Sequence, residues 1–99
     1  MTLDQLEKAG ANLGRGRETV HYLYLPTQQA AERVAHDLAR EDRQIETRPA
    51  ATGSSWLVLL KQHVVVSEES IAALRGEFES AASALGGEYD GWEAAVEAD

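Results

Sequence analysis

The run Trp56-Leu57-Val58-Leu59-Leu60 constrains the fold more than any other stretch of this chain. A half-exposed strand spares every second position from burial, but here apolar side chains occupy successive positions, so the strand reads as covered on both faces. The run fades through Lys61-Gln62-His63 into Val64-Val65-Val66. Glu18 to Leu25 has the same character: Val20, Tyr22 and Tyr24 point one way, and His21, Leu23 and Leu25 the other. Pro26 then withholds a donor and ends the ladder. Two such strands belong at the centre of a sheet.

The rest of the chain supplies what a central pair needs. Thr27 is placed to cap a helix over 27–40, with Ala31, Val34, Ala35 and Leu38 at helical spacing. Arg43 to Pro49 alternates Ile45 and Thr47 with Glu46 and Arg48, as a half-exposed edge strand does, and Ala51 to Ser55 forms the turn back. Ser67 caps a helix over 67–85, with Glu68 and Glu69 in the first turn, where the helix dipole favours negative charge. Its buried stripe is Ile71, Leu74, Phe78, Ala81, Ala82 and Leu85, and Gly86-Gly87 stops it. Tyr89 to Val96 reads as a last strand, with Gly91 allowing a bulge. Before all of these, Thr2 and Gln5 form a capping box for a first helix carrying Leu3, Leu6, Ala9 and Leu13, and Gly14-Arg15-Gly16-Arg17 reads as a linker.

This order predicts a single α+β domain over residues 1–99: a ferredoxin-like α/β sandwich, βαββαβ with a four-stranded antiparallel sheet, plus an extra N-terminal helix. Both main helices then cover one sheet face. The central strands are apolar on both sides, so the other face needs a cover: the first helix, a second subunit in a homodimer, or a binding partner.

Charge narrows the function. Residues 68–99 hold nine acids against the single base Arg75, so the whole formal net charge of −8 sits in the C-terminal third. Such a segment repels phosphate backbones and attracts a basic partner, although a solvated acidic surface is the plainer reading. No apolar run approaches the ~18 residues of a membrane span. Met1-Thr2-Leu3-Asp4 does not read as the start of a secretory leader; the absence of cysteine rules out disulfides and thiolate metal sites but leaves the compartment undecided, and the cytoplasm is the default expectation.

Residues with reactive side chains do not converge in the sequence. His21, His36 and His63 are dispersed, and none stands at metal-ligand spacing from another histidine or a carboxylate. Glu88, Asp90 and Glu93 are close enough to raise one another's pKa, yet no nucleophile with a base, no phosphate loop and no cofactor fingerprint accompanies them. The expectation is a non-enzyme with no catalytic residue, metal or cofactor. The βαββαβ order also serves RNA-recognition domains, and Tyr22, Tyr24 and Trp56 invite that reading, but their basic-aromatic signature is missing and the acidic third opposes it. Tyr89 and Trp92 read two ways, as buried strand aromatics or as interface anchors.

After the last helix stands Glu88-Tyr89-Asp90-Gly91-Trp92, and upstream stands Glu18-Thr19-Val20-His21-Tyr22-Leu23-Tyr24-Leu25-Pro26. On these two stretches the chain resembles the ribonuclease E inhibitor family, of the regulator of ribonuclease E activity B type. The resemblance implies a protein regulator of RNA decay acting by protein–protein interaction with ribonuclease E or another basic RNA-processing protein, without binding nucleic acid directly. The residues expected to bind that partner are Glu88, Tyr89, Asp90, Trp92, Glu93 and Glu97. Better-known members of the family continue into a strongly acidic tail, whereas this sequence runs only to Asp99. Contacts made by such a tail would be missing, so a small interaction module of the same fold with a different partner is the alternative.

Overall fold

The computed structural model describes residues 1–10, 14–51 and 53–94. Its elements are α1 (Leu3–Lys8), β1 (Gly16–Leu25), α2 (Gln28–Leu38), β2 (Arg43–Pro49), β3 (Trp56–Val65), α3 (Glu68–Ser83) and β4 (Glu88–Ala94). Hydroxyl side chains begin the three helices among the described residues: Thr2, Thr27 and Ser67 each accept a hydrogen bond from the backbone N–H three residues on. Each satisfies one of the donors that a helix start leaves unpaired.

The four strands form one antiparallel sheet in the order β2-β3-β1-β4, with the two doubly apolar strands at its centre. This is the expected βαββαβ arrangement. β1 starts at Gly16, two residues before the expected Glu18, because β3 runs on to Val65 and offers it partners: Gly16 faces Val65 and Arg17 faces Val64. Half of the expected linker is therefore strand. α3 ends at Ser83, before Leu85, and the turn closes with the Gly87 N–H donating to the Ala82 carbonyl at 2.8 Å. Leu13, Thr52 and Val96 lie outside the described residues.

Both long helices lie on one face. Leu23, Leu25, Val58 and Leu60 from the central strands meet Ala31, Val34 and Leu38 of α2 and Leu74, Phe78 and Ala82 of α3 in a single cluster. Phe78 is fully buried there, and truncating such a ring costs about 3–5 kcal/mol. A second cluster at the other end joins Leu6 of α1 to Val66, Ile71, Trp92 and Ala94. α1 thus extends the helical layer, and the Met1 amino group donates to the Trp92 carbonyl at 2.8 Å. Of the three expected covers for the helix-free face, α1 is not the one used.

A partly buried ion pair ties β2 to α3. The Arg43 side chain is fully buried; its two terminal nitrogens donate to the two Glu77 carboxylate oxygens at 2.9 and 2.8 Å, and one of them also donates to the Leu38 carbonyl at 3.0 Å. Arg43 Nε donates to Gln62 Oε1 at 3.0 Å, and the guanidinium lies 5.1 Å from the centre of the Phe78 ring. A guanidinium satisfied on this many sides is well placed to offset its desolvation.

Candidate functional site

β4 carries most of the expected site, and a single extra residue sets its geometry. Tyr89 is opposite Leu23 and Gly91 opposite Tyr22, so Asp90 has no counterpart on β1. A regular strand with Tyr89 turned inward would also turn Gly91 and Glu93 inward and put Trp92 in solvent. The bulge reverses the phase after Asp90: Tyr89, Trp92 and Ala94 all face the helices, while Glu88 and Glu93 face away. Gly91 makes this possible at a φ of 113°, where a side chain is strained. The start of β4 is pinned by Gly87, whose missing side chain lets the backbone pass against the Tyr24 carbonyl and Leu25.

On the helix side, the bulged strand completes a chain of polar contacts around His21, which is fully buried. Thr19 spends its hydroxyl proton on the Gln62 carbonyl at 2.8 Å, so at 2.9 Å from His21 Nε2 its oxygen must accept. That fixes the proton on Nε2. Nδ1 is then the acceptor, and the Tyr89 hydroxyl donates to it at 2.9 Å. The Phe78 ring stands edge-on to the imidazole, with 4.8 Å between centroids. Burial, with a smaller push from the Arg43 charge, lowers the His21 pKa to about 4, and burial raises the Tyr89 hydroxyl to about 12. The ring is a neutral structural hub.

On the opposite face, Glu88 is in register with Tyr24 and Glu93 with Val20. Glu88, Asp90 and Glu93 are all exposed. The Tyr22 hydroxyl donates to Glu93 Oε2 at 3.3 Å, and burial and the Glu93 charge hold that hydroxyl above its ordinary pKa. An open cleft of about 510 Å³ lies where Tyr24, Pro26, Ser55, Gly87, Glu88 and Asp90 meet.

The structure therefore divides the expected partner-binding set. Glu88, Asp90 and Glu93 share one exposed border of the sheet; Tyr89 is half-buried against the helices; Trp92 is 2% exposed in the second cluster. Glu97 lies outside the described residues. Trp56 is opposite Leu25 on the helix side, so it cannot join Tyr22 and Tyr24 in one stacking platform. Glu77, one of the acids of the C-terminal third, is largely neutralised by Arg43 and by Arg40 at 3.2 Å, and its carboxyl is held below the ordinary value, chiefly by hydrogen bonding to Arg43. Sequence reasoning passed over Thr19 as the partner of His21, although their spacing of two residues on a strand puts both on one face.

Among the described residues, no cluster of three or more histidines and carboxylates could hold a metal ion, and no helix is long and apolar enough to cross a membrane. A family model described as "Regulator of ribonuclease activity B" matches residues 1–94. No curated protein and no solved structure matches the chain.

Proposed function

The chain belongs to the regulator of ribonuclease activity B family, and from that premise we propose that it is a non-catalytic cytoplasmic regulator that binds a basic segment of ribonuclease E, or of a comparable RNA-processing protein, and so modulates RNA decay. The observation that carries this reading is the acidic border of the sheet, where Glu88, Asp90 and Glu93 stand exposed along one strand. Glu97 adds to the same charge by its place in the sequence. The mechanism is occlusion. A basic segment covered by these carboxylates no longer offers RNA the cations that displace its counterions.

Tyr89 and Trp92 take an indirect part in this proposal: by holding the bulge against the helices they fix the outward aim of the carboxylates on either side of it. The protein itself is RNA-averse, because phosphates approaching this border meet like charge. Surface-based kinetics with ribonuclease E test the proposal. Changing Glu88, Asp90, Glu93 and Glu97 together to their amides should slow association about tenfold at low salt and flatten its salt dependence, since rim charges chiefly steer encounter. An unchanged association rate and salt slope in the folded variant would show that the border is merely solvated.

A further inference from the structure

Among the described residues no element covers the helix-free face of the sheet, and its pattern is more specific than apolarity. Along β1 it presents Val20, Tyr22 and Tyr24, all half-buried, and across β3 the half-buried Leu59 is in register with Tyr22 and the buried Leu57, 8% exposed, with Tyr24. On the other flank, Glu88 is in register with Tyr24, and Glu93 accepts the Tyr22 hydroxyl proton at 3.3 Å. Each tyrosine thus has a leucine on one side, and carboxylates lie along the other flank, Glu88 opposite Tyr24 and Glu93, opposite Val20, at the Tyr22 hydroxyl; the tyrosines recur at every second residue. Alternate residues of a strand lie about 6.8 Å apart. That is also the spacing of alternate side chains in any extended segment laid over the face.

We propose that this face binds an extended protein segment with arginine at alternate positions, Arg-x-Arg, each guanidinium lying on a tyrosine ring and reaching the carboxylate of Glu88 or Glu93. The proposal rests on the acidic-docking reading above and specifies where the basic segment lies. Arginine suits the unit because its planar group stacks on an aromatic ring while its forked donors engage a carboxylate; lysine is a point charge and cannot do both as well. The segment lies across the face and does not add to the β4 edge, where the bulge at Asp90 interrupts main-chain pairing. A second copy is a poor occupant, because two chains of formal charge −8 repel. RNA is poorer still: its phosphates would face Glu88, Asp90 and Glu93.

The test uses fluorescence anisotropy with labelled synthetic peptides of about ten residues, the length of chain that spans a ~30 Å strand path. One alternates Arg and Ser, one alternates Lys and Ser, and one holds the same arginines in a contiguous block. The alternating arginine peptide should bind about tenfold more tightly than the lysine peptide, and more tightly than the blocked one. Tyr22→Leu with Tyr24→Leu keeps the apolar cover, removes both rings, and should weaken binding about tenfold with an unchanged circular dichroism spectrum. Glu88→Gln with Glu93→Gln should weaken it and flatten its salt dependence. If the glutamate variant weakens binding and the tyrosine variant does not, the tyrosine–carboxylate ladder is wrong while acidic docking stands. If alternating and blocked arginines bind alike, the ladder is equally wrong. If neither variant changes binding, or no basic peptide binds, both ideas fall. A dimer in sedimentation that the tyrosine variant splits would identify a second copy as the occupant and overturn the proposal.

Discussion

His21 should make this fold lose stability on mild acidification. In the folded chain the imidazole is neutral, with its pKa lowered from the ordinary 6.5 to about 4 by burial and by Arg43. Unfolding returns it to water and to the ordinary value. Between those two pH values the unfolded state binds the extra proton, so stability falls as pH drops below about 6.5 and the loss is complete only near the folded value. Integrated from pH 7 to pH 5, the shift corresponds to a loss of about 2 kcal/mol. A domain of this size has roughly 5–15 kcal/mol in all, so the change is a large fraction of the total. Glu77 cannot mimic it: its carboxyl is held below the ordinary 4.5, so the stability it contributes is present above that value and is lost only as pH falls through its still lower folded pKa.

Urea unfolding at a series of pH values, followed by circular dichroism, reads this directly. With a slope of about 1–1.5 kcal/mol/M, the wild-type midpoint should fall by roughly 1–2 M between pH 7 and pH 5. His21→Gln cannot titrate. It should start lower at pH 7, by about 1–3 kcal/mol, because the Tyr89 and Thr19 hydroxyls lose a well-placed partner, but its midpoint should then be nearly flat over the same range. A wild-type midpoint that does not move, or a His21→Gln midpoint that falls in parallel with it, would refute the argument that a buried neutral imidazole governs this window.

Two further substitutions probe the elements that hold the site in place. Arg43→Ala should destabilise the fold by about 3 kcal/mol in thermal or urea unfolding, because it strands the Leu38 carbonyl and a partly buried Glu77 that keeps Arg40 alone; Arg43→Lys should recover little, since one ammonium cannot replace the fork. Gly91→Ala meets no atom within 4 Å, so its cost of about 1–3 kcal/mol comes from the backbone at φ 113° and should appear as lost stability together with a shift of the Trp92 fluorescence as the bulge rearranges.

What was legible in the sequence, and what was not, follows from how far apart the cooperating residues stand. The four strands, two long helices and their common face could be read because each rests on a local period, and the doubly apolar strands had nowhere to go but the centre of the sheet. The bulge was legible in part: Tyr89 and Trp92 are three residues apart, a spacing a period-two strand cannot bury on one face without an extra residue, and Gly91 supplies the backbone freedom. The Arg43–Glu77 pair was not legible, because nothing local distinguishes an arginine that starts an edge strand from one that points into solvent, and its carboxylate comes 34 residues later on a helix. That pair also changes how the acidic third should be weighed. Counted by sequence, Glu77 adds to the field as much as Glu93; in space it is committed to two arginines, while Glu88, Asp90 and Glu93 stand exposed along β4, beside Tyr22 and Tyr24 of the neighbouring strand. The net charge thus overstates the acidic field around α3 and understates its concentration along β4. On the proposed reading, a basic partner steered by that field would reach the helix-free face, whose apolar residues no element among the described residues covers.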